Sequence, residues 1–105
     1  MNRQQTPWYV LHSPECGKAF ENFYQRCHGQ GVLDRKTKAL LILALTSVCR
    51  CESCTEEHLQ RASDAGATKE EITEALLIAA AEGAWAQLAF EKEKWLKYLG
   101  GNSST

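Results

Sequence analysis

The run Leu40-Leu41-Ile42-Leu43-Ala44-Leu45-Thr46-Ser47-Val48 is apolar on nearly every side. It falls well short of the ~20 apolar residues that a membrane-spanning helix needs, so it suits a helix enclosed by other helices. A chain of 105 residues has room for one domain around such a helix and not for two. This run is therefore the predicted centre of a helical bundle.

The flanking segments supply the rest. Met1 to His12 is polar apart from Trp8 to Leu11, and reads as an arm that docks one apolar turn onto the body. Ser13-Pro14-Glu15 has the residues of a helix start, with Ser as N-cap, Pro at the first position and Glu at the positive end of the dipole. That helix is expected to reach about His28, with Cys16, Phe20, Phe23, Tyr24 and Cys27 as its core stripe and both cysteines as buried small hydrophobes. Gly29 and Gly31 are expected to stop it by taking the left-handed conformation, and Asp34 to cap the next helix. After a brief interruption at Cys49-Arg50-Cys51, a helix is predicted from about Glu52 to Ala65, stopped by Gly66. Thr68-Lys69-Glu70-Glu71 reads as a capping box. It opens a helix whose stripe is Ile72, Ala75, Leu76 and Ala79, with Gly83 as a break or a close contact. From Ala84 to Leu99 the stripe Trp85, Leu88, Ala89, Leu96 and Leu99 repeats the helical period, while Phe90 lies on the other side and points to a subunit contact. Residues 100–105 read as a flexible tail. No segment alternates with period two and there are no internal repeats. The fold class is all-α, a single-domain bundle of about five to six helices over residues 1–105.

A formal net charge of -1 removes any general electrostatic argument for nucleic acid or an anionic membrane. The N-terminal apolar patch is too short for a signal peptide, which makes a cytoplasmic location the expectation. Five cysteines are an odd number, and two of them stand three apart. This pattern favours a redox or metal site over a secreted disulfide scaffold.

The chemistry concentrates between Cys49 and His58. Cys51 and Cys54 form a C-x-x-C pair, and His58 lies four residues further on. In a helix, Cys51, Cys54 and His58 fall within an arc of roughly 60°. A helix N-terminus and the adjacent Arg50 favour thiolates, and an imidazole with an unperturbed pKa of ~6.5 accepts a thiol proton near neutral pH. One thiolate attacks a peroxide oxygen or a disulfide sulfur, and the other resolves the product. No cofactor is needed beyond a redox-active disulfide. Two alternatives stay open. Cys49, Cys51, Cys54 and His58 number enough ligands for zinc, although zinc sites usually draw ligand pairs from separate elements. The cysteines also suit core packing, against which Glu52, Glu56 and Glu57 make the neighbourhood polar.

Taken in order, the first helix, Leu33-Asp34-Arg35-Lys36-Thr37-Lys38, the apolar helix, Cys51-x-x-Cys54-x-x-x-His58 and Ala65-Gly66-Ala67-Thr68 resemble the alkylhydroperoxidase D-like branch of the carboxymuconolactone decarboxylase superfamily, over Ser13 to Trp95. The resemblance implies an all-helical homo-oligomer (trimer, hexamer or dimer) that acts as a thiol peroxidase or disulfide reductase and draws electrons from a thiol donor. Decarboxylase members lack the cysteine pair, and a lyase-like member would use only His58 and a carboxylate. By the same resemblance Cys54 is the attacking thiol, Cys51 its resolving partner and His58 part of the proton relay; Cys49 lies outside the pattern. The family's relay also has a Glu twelve residues before the first cysteine, where this chain has Ala39. Glu82, at the margin of its helix's apolar stripe, and Glu57, three residues from Cys54, are the carboxylates that stand as substitutes.

Overall fold

In the computed structural model, residues 5–101 are described, and they form six helices and no strands. The all-α expectation holds. The helices are α1 (Trp8–His12), α2 (Pro14–His28), α3 (Arg35–Val48), α4 (Glu52–Asp64), α5 (Lys69–Ala89) and α6 (Lys92–Leu99). The first four residues of the expected arm and the last four of the expected tail lie outside the described residues.

The body is α3 with α4 and α5 packed against it, and α1 packs against α2. Among the described residues, Leu43 on α3 and Ala62 on α4 are the buried hydrophobic side chains, with Leu43 only 1% exposed. The central helix is less enclosed than its composition predicts. Leu41, Leu45 and Val48 face outward: α4 and α5 cover one side of α3, and among the described residues no other helix packs as extensively on it. On α5, Ile72, Ala75, Leu76 and Ala79 are half-buried, as their stripe requires.

Caps place the body's helix starts. The Asp34 carboxylate accepts the Thr37 amide at 2.8 Å. Thr68 and Glu71 exchange side-chain bonds with each other's amides at 3.1 and 2.9 Å, so the capping box is complete. Lys36 pairs with Glu71 at 2.9 Å, tying the start of α3 to the start of α5. The same carboxyl is held below its usual range by the Thr68 amide and then by Lys36.

Elsewhere the structure corrects the reading. Ser13 occupies the N-cap position of α2 without a side-chain bond, because it also ends α1, and its own amide donates to the Tyr9 carbonyl at 3.0 Å. The buried face of α2 is rotated away from the predicted stripe. Gly17 touches α1 so closely that a Cβ would lie 2.5 Å from the Tyr9 carbonyl oxygen. Tyr9 packs edge-on against Phe20 at 5.4 Å and bonds Glu21. That face carries Gly17, Glu21, Tyr24 and His28, which leaves Cys16 and Cys27 about a quarter-turn away and exposed instead of buried. Gly29 ends α2 in extended backbone rather than the left-handed region, and Gly31 is not left-handed either. At Gly83 there is neither break nor close contact, since α5 runs through it and a Cβ there would meet nothing. The break falls at Phe90 and Glu91, where Glu91 is left-handed at φ 51° and the Trp95 indole donates to the Phe90 carbonyl at 2.7 Å. Before it, Trp85 and Leu88 are about as exposed as Phe90, while Ala89 and Leu96 of the predicted stripe are half-buried, so the end of α5 is largely uncovered on both sides among the described residues.

Candidate active site

The cysteine pair is placed by the way α3 ends. Arg50 takes a left-handed conformation at φ 59°, its amide reaching the Ser47 carbonyl at 3.3 Å and the Cys51 amide reaching the Thr46 carbonyl at 3.3 Å. That is the pair of bonds a Schellman stop makes. The same stop closes α4 with Gly66 at φ 92°, through Gly66 to Ser63 and Ala67 to Ala62, both at 3.0 Å. Glycine bears this conformation without cost, whereas an L-residue pays about 1–2 kcal/mol for it. Strain therefore sits at the residue before Cys51. Arg50→Gly relieves that penalty and loses about 0.5–1 kcal/mol to chain entropy, so urea unfolding should show a net gain of about 0.5–1 kcal/mol. Arg50→Ala should show none.

Cys51 is then the N-cap of α4 and Cys54 lies in its first turn, where unpaired amides and the helix dipole favour a thiolate. The two are joined as a disulfide, with Cα atoms 5.4 Å apart. The Ser53 hydroxyl lies 3.7 Å from the Cys51 sulfur and 4.0 Å from the Cys54 sulfur. Once the pair is reduced, this hydroxyl is a donor for either thiolate. Its position between the two cysteines was a signal available in the sequence and not used there.

His58, one turn on, is 6% exposed. Burial pushes its pKa down; Arg61 and His28 push the same way, and only Glu57 opposes them. A histidine held below its ordinary pKa of ~6.5 is neutral at pH 7, the form that accepts a proton. His58 lines a cavity of about 700 Å³ whose wall also includes His28, Ala39, Lys38 and Arg61. Ala39 thus faces the same space as His58.

Neither substitute carboxylate is hydrogen-bonded to His58. The Glu57 carboxylate is held by Arg61 at 2.6 Å. Glu82 is exposed on α5, and among the described residues no hydrogen bond joins either to His58. Cys49 is an exposed free thiol. Among the described residues no cluster of three or more His, Cys, Asp or Glu side chains is placed to hold a metal, so the zinc donor set is not assembled in this geometry, where Cys51 and Cys54 bond each other.

An all-helical domain with a C-x-x-C disulfide at a helix N-terminus and a buried imidazole on the next turn defines a class of cysteine-pair helical domains. The carboxymuconolactone decarboxylase family model matches residues 14–96, and the chain belongs to that family. It is also similar to "Uncharacterized protein 4 in cox locus" of Paracoccus denitrificans, 44% identical over 50 residues. That match covers 48% of this chain and 45% of the relative, so the alignment spans about half the relative's length. No helix among the described residues is long and apolar enough to cross a membrane.

Proposed function

We propose that this protein is a thiol-dependent peroxidase or disulfide reductase whose working group is the Cys51–Cys54 pair. The observation that carries this reading is the pairing of the two cysteines at the start of α4, one turn before a buried histidine whose pKa burial pushes down. In the reduced protein, neutral His58 takes the Cys54 proton. The thiolate attacks the terminal oxygen of a hydroperoxide; an S–O bond forms, the O–O bond breaks, and the leaving alkoxide takes a proton to become an alcohol. Cys51, as thiolate, displaces hydroxide from the Cys54 sulfenic acid, which leaves as water with one proton and closes the disulfide. An external thiol donor reopens it by two exchanges through a mixed disulfide. With a partner disulfide as substrate, the same thiolate attacks sulfur instead of oxygen. The working form is a homo-oligomer, supported by the apolar surface that α2, α3 and α5 leave uncovered.

The test is a single turnover. Reduced protein given one equivalent of hydroperoxide should return the Cys51–Cys54 disulfide by peptide mapping, while the exposed thiols Cys16, Cys27 and Cys49 stay reduced. Oxidation spread evenly over all the cysteines would overturn the reading.

A further inference from the structure

The cavity beside His58 holds a second imidazole, brought there from another helix. His28 is the last residue of α2, and its ring centroid lies 6.4 Å from that of His58 with the planes tilted by 31°. Both rings line the same cavity. His28 is tethered twice. Its Nδ1 lies 2.9 Å from the Tyr24 carbonyl, and its ring stacks on that of Tyr24 at 3.9 Å and 19°. Since a carbonyl only accepts, Nδ1 carries the proton and Nε2 is left as the acceptor. His58 makes no hydrogen bond among the described residues, and no buried side-chain nitrogen or oxygen among them lacks a partner, so its ring nitrogens open onto the cavity. A centroid separation of 6.4 Å accommodates one water between the rings.

We propose that His28 is a positioning residue for His58, the two imidazoles sharing a single proton across the cavity. A proton that His58 takes from a cysteine thiol passes through the intervening water to His28 Nε2, and His58 returns to its neutral form for the next thiol. The inference rests on the reading of Cys51 and Cys54 as the redox pair. The charges around the rings are consistent with one proton and not two. On α4, Arg61 is paired with Glu57 at 2.6 Å. On the α3 side, Arg35 donates to the Asp64 carbonyl at 3.2 Å, Lys38 donates to the Gly29 carbonyl, and Asp34 is engaged in capping α3. Among the described residues that line the cavity, three side chains are cationic and Asp34 alone is anionic, so a second positive imidazole has no free carboxylate among them to balance it. A histidine that bonds its own helix's last turn is often only a cap. The ring-to-ring approach distinguishes His28 from that role, and so does the experiment.

The rate of disulfide formation after hydroperoxide addition, and the imidazole NMR titration of His58, are measured from about pH 5 to 9 in reduced wild type, His28→Gln, His28→Phe and His28→Gln/Ala39→Glu. His28→Phe keeps a ring against Tyr24 but carries no proton. Both single variants should slow the reaction about tenfold at neutral pH. Both should also raise the pH at which His58 titrates, because the proton is no longer divided between two imidazoles, and move the acid limb of the rate to higher pH. Ala39→Glu, placing a carboxylate in the same cavity, should restore most of the rate to His28→Gln. An unchanged His58 titration and rate profile in His28→Gln, or wild-type behaviour of His28→Phe, would overturn the proposal. If wild type itself forms no disulfide, the redox reading fails, while the His58 titration still reports whether the rings are coupled.

Discussion

Cys54→Ser is expected to reduce hydroperoxide turnover with an exogenous dithiol to the uncatalysed background. The thiolate is the nucleophile in this chemistry, and a serine hydroxyl stays protonated near neutral pH even at a helix N-terminus. The change replaces sulfur by oxygen and leaves the backbone as it is, so the first turn of α4, held by the Cys54 amide on the Cys51 carbonyl at 3.1 Å, should persist and circular dichroism should match that of reduced wild type. Cys51→Ser should fail differently. It keeps the attacking thiol and loses the resolving one, so it should react once and stall as a sulfenic acid that a trapping reagent labels. Dithiol consumption measured for wild type and both variants checks this. Equal rates in all three would sink the redox assignment, and an activity surviving the loss of both thiols would point to a lyase-like reaction at His58.

Purified protein at micromolar concentration is expected to sediment as an oligomer, and breaking that oligomer should unfold it. The chain exposes 8632 Å². A compact monomer of 11.7 kDa would expose roughly 5,900 Å². The radius of gyration is 18.6 Å, against about 13 Å for a compact domain of this length. The excess of roughly 2,700 Å² exceeds the ~800 Å² per partner of one standard interface, which leaves room for contacts with more than one copy. Much of the uncovered surface is apolar, including Trp85 at 62% and Leu88 at 70% exposed on α5. A buried core of Leu43 and Ala62 offers little to offset the chain entropy of folding. Trp85→Glu/Leu88→Glu should therefore shift the sedimenting mass toward monomer and lower the melting temperature together. A wild-type monomer whose cooperative melting is independent of dilution would contradict this.

Much of the fold was legible because the signals are local. The Asp34 cap, the Thr68/Glu71 capping box, the Gly66 stop and the interruption at Cys49 to Cys51 each depend on bonds within a few residues, and all stand where the residues place them. Faces were less legible than helices. The stripe of Cys16, Phe20, Phe23, Tyr24 and Cys27 satisfies the helical period, yet α1 is packed on a face centred on Gly17, which no apolar pattern marks. Likewise a helix apolar all round implies cover, but periodicity does not say whether another part of the same chain provides it. The break at Glu91 was missed because a left-handed Glu has no signature of its own, while Gly83 carried a signature that the helix ignores.

The site divides in the same way. Cys51, Cys54 and His58 lie within two helical turns, so covalent spacing alone brought two thiols and a base to one face, and the sequence by itself determined that much. Only the tertiary structure decided what surrounds His58. Its burial, the cavity it shares with Ala39, and the approach of His28 from α2 all depend on how distant segments pack, and no rule of spacing links residues thirty positions apart.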